Sequence, residues 1–355
     1  MSISEKLEIS EEEEILLGLI YNLEILPKDP QSGEIIINDK LKIKMTKEGI
    51  MELRTVKDKI SNYPATLDSL IQRNFLSLKD RIYSLTETGR VIGKKIRTKQ
   101  ISEWFGDVLV RSANSQAYAL FCERVFGKNL SQFNVLDMDQ LESMIKVLNL
   151  NSADFVLDLG CGVGKIADYI STKTGARILG IDFAEKVIHY AQTHIQSKND
   201  KIEFQVGNIN ELNFPPSSFT AIIAIDTLYS WNVEDMDATI AILKEILTPN
   251  GQMGIFAAQF REENEPQAVL NAENTKMAKI LAKNGLTFQT IDFTENARHI
   301  WLQETAIATE LKDMFEKEGN LDLCEDRLKD SKQTLHRIDS QQQRRYFYHV
   351  RLSSY

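Results

Sequence analysis

The chain has 355 residues, 43% of them hydrophobic, and a formal net charge of −9 at pH 7. That length implies two domains with ordinary cores, and the acidic balance argues against a general nucleic-acid binder, which needs a basic face for phosphate contacts. No apolar run reaches the ~18 residues of a membrane span, so no spanning helix is expected.

Residues 1–100 hold 17 basic and 16 acidic side chains, so the excess of acid lies in the rest of the chain. Glu11 to Glu14 open an amphipathic helix carrying Ile15, Leu16, Leu19, Ile20 and Leu23, and four acids there suit the helix dipole without any binding role. Pro27, Pro30 and Gly33 mark a loop, and Ile35 to Ile37 a short strand. Helical segments are expected over Lys47 to Ile60 and Ala65 to Asn74. Two short alternating strands around Lys79-Asp80, ending in Leu-Thr-Glu-Thr-Gly, resemble the wing and last helix of winged-helix domains. The segment that would read DNA, Ala65 to Arg73, has one basic and one acidic residue, where readers of base edges bring more Arg, Lys or Asn. Residues 1–100 are therefore expected to pair protomers or act as a lid, and the basic run Arg90 to Lys99 to be a solvated helix face.

Residues 101–149 read as a helical bridge. Ser112 to Gly127 places Tyr118, Cys122 and Phe126 on one helix face; Ser131-Gln132-Phe133 lies in a loop, and Asp137 to Leu148 is helical. Core packing is the competing reading of Tyr118 and the stronger one for Cys122. With Cys161 and Cys324 the chain has three cysteines, none at metal-ligand spacing, which fits a reducing, cytoplasmic setting and no metal.

The most informative stretch runs from Phe155 to Asp182. Phe155 to Leu159 is a short apolar run like a strand buried on both faces; Gly160, Gly162 and Gly164 form a bend; Ile166, Ala167, Tyr169 and Ile170 fall at helical spacing as far as Gly175; Ile178 to Ile181 is a second apolar run closing on Asp182. This is a βαβ unit with an acid 22 positions after Gly160, near the spacing at which a carboxylate takes ribose hydroxyls. A dinucleotide site would want Gly-x-Gly-x-x-Gly, whereas here the third glycine comes one residue early. Asp158 would repel a pyrophosphate and attract an ammonium, so the ligand reads as a nucleoside carrying an amino acid.

These residues, Val156 to Gly164 with Gly180-Ile-Asp182, resemble the first two motifs of the class I S-adenosylmethionine-dependent methyltransferases. The resemblance covers about Leu150 to Gly254. It implies a Rossmann-like α/β sheet with helices on both faces, and S-adenosylmethionine held by Asp158, Gly160, Cys161, Gly162, Gly164, Asp182 and Phe183. Gln132 from the preceding loop, Asn208 and Ile209 after the third strand, and Asp226 after the fourth are expected to join them. The family usually has Asp where this chain has Asn208, whose amide oxygen can accept the same adenine hydrogen bond.

The elements that follow fit the same plan: a helix over Glu185 to Ser197, strands at Ile202 to Asn208 and Thr220 to Asp226, a helix from Met236 to Leu247, a turn at Thr248-Pro-Asn-Gly251 and a strand at Gln252 to Phe256. A helix over Thr275 to Asn284, a strand at Thr287 to Phe293 and a last strand at Arg344 to Leu352 complete it, with helices His299 to Phe315 and Asp322 to Arg337 between. The insertion 295–340 falls where the family places a cap. Together with Cys122 to Gly127 and Arg345 to Tyr348 it faintly resembles amine N-methyltransferases acting on phosphoethanolamine-like substrates, although Cys122 stands where they have Tyr.

The expectation is thus a winged-helix domain (1–100), a helical bridge over the active site (101–149) and a cofactor-binding domain (150–355) that methylates a small-molecule acceptor, an amine ahead of an oxygen. Catalytic candidates are Tyr229, Tyr118 and His299, with Glu304 also able to relay a proton, and Tyr229 and Trp231 are expected as pocket walls. A homodimer through the N-terminal domain is expected, without membrane or nucleic-acid partners. The rival readings are a DNA-binding regulator that senses the nucleoside and a methyltransferase acting on RNA or protein.

Overall fold

The computed structural model describes residues 9–26, 35–38, 41–51, 53–196, 199–229, 233 and 235–352. The chain divides into two compact units, Met1–Trp104 and Phe105–Tyr355.

The first unit is built on helix α1 (Glu11–Ile25), whose start is a capping box: Ser10 N donates to the Glu13 carboxylate at 2.8 Å, and Glu13 N donates to Ser10 Oγ at 3.2 Å. The acidic run does more than complement the dipole. Glu13 is buried and also accepts from Ser69 Oγ at 2.6 Å, while Glu12 accepts from Ser61 N at 2.9 Å and Thr66 Oγ1 at 3.1 Å. The hairpin β1 (Ile35–Asn38) and β2 (Leu41–Ile43) follows. The expected single helix over Lys47 to Ile60 is two, α2 (Lys47–Met51) and α3 (Arg54–Lys59), because Leu53 leaves the helix to cap the second with extended backbone. Asn62 caps α4 (Tyr63–Gln72), with Pro64 in its first turn. The hairpin β3 (Leu76–Lys79) and β4 (Ile82–Leu85) turns through Asp80 and Arg81 at φ 50° and 65°, the left-handed pair a two-residue hairpin requires. Leu16, Leu17, Ile20, Leu67, Leu70 and Ile96 are nearly inaccessible and form this unit's core. Helix α5 (Glu87–Asn114) leads out of it, and the division between units falls within that helix.

The second unit is a seven-stranded sheet in the order β10-β11-β9-β8-β5-β6-β7. Its strands are β5 (Phe155–Leu159), β6 (Arg177–Asp182), β7 (Ile202–Val206), β8 (Phe219–Ile225), β9 (Leu247–Phe260), β10 (Leu286–Asp292) and β11 (Gln343–Leu352). All ladders from β9 to β7 are parallel, and β11 runs antiparallel to both of its neighbours. The apolar runs are explained by burial on both faces. Val156, Ile178, Ile223 and Phe256 face α7 (Met138–Leu148), α8 (Lys165–Thr174) and α9 (Glu185–His194). Their neighbours Leu157, Leu179, Ile222 and Ile255 face α10 (Met236–Ile246) and α11 (Lys276–Lys283). The expected turn Thr248 to Gly251 lies inside β9 as an irregularity: Phe219 pairs with Leu247 and Ala221 with Gln252.

Two helices, α12 (Thr294–Lys317) and α13 (Leu321–Asp339), connect β10 to β11 and pack on α6 (Gln116–Phe126). Tyr118, Phe121, Phe126, Ile300, Ala308 and Phe315 make a separate core there. Each of the larger side chains buried there, such as Phe121, Ile300 and Phe315, contributes about 1.5–3 kcal/mol.

Candidate active site

The glycine bend sits where β5, β6 and β7 end side by side. Gly160 N and Cys161 N both donate to the Ile181 carbonyl, at 2.8 and 3.0 Å, which pins the bend to the end of β6. The three glycines are needed for different reasons. A Cβ on Gly164 (φ 82°) would sit 2.4 Å from the Phe204 ring, and one on Gly160 would sit 2.6 Å from Thr227 Oγ1, so both are closed off by protein. Gly162 (φ 55°) has no heavy atom within 4 Å of that position. It is the place where a ligand can reach bare backbone.

Around the bend stand the acids. Asp182 is buried; its Oδ2 accepts from Gly162 N at 3.2 Å and its Oδ1 from Ala184 N at 3.0 Å, while Gly207 N donates to its carbonyl at 2.9 Å. Burial raises its pKa, and the backbone amides oppose that rise. Asp158 is also buried, at 3% exposure, yet among the described residues nothing donates to its carboxylate. Burial, and then the charge of Asp182, push it up to about 7. A carboxylate left this way by the protein is suited to a cationic ligand group. Cys161 is buried with its thiol pKa well above the usual range, first because of burial, and it packs in the core beside β5 and β6. Phe183 is half-buried and stacks on Phe105 with ring centres 6.0 Å apart. Asn208 and Ile209 are half-buried at the end of β7. The Asn208 amide oxygen already accepts from Asn210 N at 3.0 Å and Asn210 Nδ2 at 3.2 Å. The acceptor role expected for it is therefore shared with capping a short turn.

Asp226, expected at the cofactor, is paired within the protein: Arg345 from β11 binds both of its oxygens, at 2.5 and 2.9 Å, with 5% and 11% of the two side chains exposed. Val135 N at 3.3 Å and Tyr229 OH at 2.7 Å also donate to it. The same network includes Tyr229. Its hydroxyl donates to Asp226 and accepts from Ala258 N at 3.3 Å, and burial raises its pKa well above the usual range. It is poorly placed to take a substrate proton. Arg345 Nε continues the chain of bonds to Gln140 Oε1 at 2.8 Å, and Gln140 Nε2 reaches Asn296 at 2.7 Å. Gln140 was not singled out in the sequence, and Arg345 entered only as the start of the segment to Tyr348; a cation directly before the aromatic run Tyr346-Phe-Tyr348 was the available signal.

Gln132, expected at the cofactor, instead staples its own loop: Oε1 accepts from Leu130 N at 2.9 Å and Nε2 donates to the Lys128 carbonyl at 3.0 Å. Its main-chain carbonyl accepts from Tyr118 OH at 2.8 Å. Tyr118 and Cys122 are fully buried, and burial first of all drives both pKa values up, so neither is a ready proton acceptor. His299 is exposed on α12, whereas Ile300, Trp301 and Glu304 point inward; the structure does not bring it to the other candidates. Trp231 and Ser230 lie outside the described residues. Among the described residues no group of His, Cys, Asp and Glu could hold a metal ion, and no helix is long and apolar enough to cross a membrane.

Residues 156–251 match the family described as methyltransferase domain. Phosphoethanolamine N-methyltransferase 1 of Arabidopsis thaliana is 28% identical over 131 residues, 37% of this chain but only 26% of that protein. Demethylmenaquinone methyltransferase of Lactobacillus johnsonii is 26% identical over 185 residues, 50% of this chain and 72% of that protein. Among solved structures, Haemonchus contortus phosphoethanolamine N-methyltransferase 2, in complex with phosphomonomethylethanolamine and S-adenosylhomocysteine, superposes with a TM-score of 0.58 at 19% identity, covering 70% of this chain and 60% of that one. Residues 156–251 are a methyltransferase domain, and the sheet around them has the fold of the class I S-adenosylmethionine-dependent methyltransferases.

Proposed function

We propose that this chain is an S-adenosylmethionine-dependent methyltransferase acting on a small-molecule acceptor, an amine ahead of an oxygen. The observation that carries the reading is the buried, donor-free carboxylate of Asp158 beside the open backbone of Gly162. The relatives named above are methyltransferases of small molecules, phosphoethanolamine and demethylmenaquinone, which supports the substrate class.

S-adenosylmethionine supplies a methyl group already activated on a sulfonium. What is asked of the protein is alignment and exclusion of water. Asp158 holds the ammonium group of the cofactor's methionine end, Asp182 accepts from the ribose hydroxyls, Gly162 lets the ligand lie against main chain, and Asn208 meets the adenine edge with its free amide hydrogens. Cap helices α12 and α13 with α6 close the acceptor side. Asp226 and Arg345 brace the end of β8 and leave Tyr229 a positioning role.

Residues 1–100 are read as a winged-helix domain that pairs two protomers in the cytoplasm, since their near-equal numbers of basic and acidic side chains argue against a DNA-binding role. Calorimetric titration with S-adenosylhomocysteine and with NAD tests the main reading: micromolar binding of the first and none of the second is expected, and the reverse would end it. A DNA shift assay at physiological salt is expected to show no specific complex.

A further inference from the structure

Among the described residues, Glu304 Oε1, Arg327 Nε and Gln343 Oε1 are side-chain polar atoms wholly closed to solvent that lack any hydrogen-bond partner. Two of the three belong to one cluster on the cap helices. Glu304 on α12 is 0% exposed, and its other oxygen receives only a long hydrogen bond from Ser331 Oγ, 3.4 Å. Arg327 on α13 is 4% exposed; its Nη2 reaches Asp330 at 3.3 Å and its Cζ lies 4.5 Å from the centre of the Phe133 ring. The two do not form an ion pair with each other. Buried charges with unmet bonding capacity are costly, and natural proteins keep them where something else completes them.

The surroundings place this cluster against the cofactor bend. Phe133, beneath Arg327, packs edge-on against Phe105 at 5.7 Å, and Phe105 stacks on Phe183, the residue after Asp182. Lys165, which follows Gly164, donates to Ser131 Oγ at 2.7 Å, two residues before Phe133. Tyr118 and Cys122 on α6 lie within electrostatic reach of both Glu304 and Arg327.

We propose that Glu304 and Arg327 form the acceptor-recognition site, taking a small zwitterion in which one molecule carries both an ammonium and a carboxylate or phosphate. Glu304 Oε1 accepts from the ammonium and Arg327 Nε donates to the anionic end, so each orphan atom gains the partner the protein withholds. An uncharged or lipid-like acceptor would leave both unmet, and sites built for a polar contact reject ligands that lack it. Glu304 supports the assignment by its protonation. Burial, opposed by the nearby Arg327, pushes it up to about 7, with Asp330 raising it further, while Tyr118 and Cys122 face it from α6. An arriving ammonium would favour its ionised form.

This rests on the methyltransferase reading, and the test separates the two. The full chain, saturated with S-adenosylhomocysteine at pH 7.5, is titrated calorimetrically with glycine and with phosphoethanolamine, and with ethanolamine, propionate and inorganic phosphate as single-charge controls. At least one zwitterion is expected to bind 10-fold or more tightly than every control, and which one identifies the anionic end as carboxylate or phosphate. Glu304→Gln and Arg327→Gln are each expected to weaken that binding at least 10-fold, with S-adenosylhomocysteine affinity within twofold of wild type and partial recovery in Arg327→Lys. Equal binding of zwitterions and controls, no zwitterion binding, or unaltered affinity in Glu304→Gln overturns the site while the methyltransferase reading stands. Failure of wild type to bind S-adenosylhomocysteine overturns both. Should a variant not fold, the wild-type comparison of zwitterions with controls decides.

Discussion

Replacing Asp158 with Asn separates the carboxylate's cost to the fold from its value to the ligand. The ordinary aspartate value is 3.8, and burial with the neighbouring Asp182 takes it up to about 7. At roughly 1.36 kcal/mol per pH unit, this disfavours the ionised side chain by about 4 kcal/mol in the ligand-free fold. The folded state holds its proton more tightly than the unfolded chain, so this contribution to stability is fully present below about pH 4, is lost as pH rises towards 7, and is flat beyond. Asp158→Asn removes that titration. The ligand-free variant is expected to be more stable than wild type at pH 8, by up to about 4 kcal/mol or some 8–16 °C in Tm, with the gap narrowing at pH 5. Binding should move the other way. An ammonium beside the carboxylate favours ionisation, so S-adenosylhomocysteine should release a proton on binding near pH 6.5, read as a buffer-dependent heat, and bind the variant about 10–100-fold more weakly, the worth of a charged hydrogen bond. A variant less stable than wild type at pH 8, or one that binds the ligand equally well without buffer dependence in wild type, would refute the reasoning.

Arg345→Met leaves the Asp226 carboxylate buried beside apolar side chains and should cost about 3–5 kcal/mol in urea unfolding, with much of the loss recovered in the Arg345→Met, Asp226→Asn double variant. The same change at two glycines should divide by readout. Gly164→Ala drives a methyl into Phe204 and should lower Tm sharply, whereas Gly162→Ala should cost only about 1–2 kcal/mol of backbone strain but reduce S-adenosylhomocysteine affinity at least 10-fold by calorimetry. Tyr229→Phe should reduce kcat less than 10-fold and stability by about 1 kcal/mol, because the hydroxyl bonds to Asp226 and Ala258; a loss beyond about 100-fold with an altered pH profile would restore it as the proton acceptor.

What the sequence revealed well is what local geometry controls. The strand, bend, helix and strand from Phe155 to Asp182 lie within one short segment, where apolar runs and glycines have few alternative uses. The covered sheet followed from runs such as Thr220 to Ile225, which only burial on both faces explains. Bonds to distant partners were not legible. Asp226 looked free because Arg345, which binds it, lies 119 positions away, and Tyr229 and Gln132 looked like ligand residues because their hydrogen bonds to Ala258, Leu130 and Lys128 leave no mark in the chain. Within the first unit, periodicity ran Lys47 to Ile60 together, since Ile50, Leu53, Val56 and Ile60 all enter one core while the backbone at Leu53 is extended.

The second unit thus holds two kinds of buried charge, and the contrast carries functional content. Asp226 and Arg345 satisfy one another through two short hydrogen bonds, and Val135, Tyr229 and Gln140 take up the remaining capacity; such a closed network ties the end of β8 to β11 across β9. Asp158, Glu304 and Arg327 are as deeply buried but incompletely bonded, and two of them are acids pushed up to about 7. If burial alone produced such pKa values they would be scattered through the core. Instead one lies at the glycine bend and the others on the cap, joined through Phe183, Phe105 and Phe133, as expected of two halves of one site that meet a cationic cofactor on one side and its acceptor on the other.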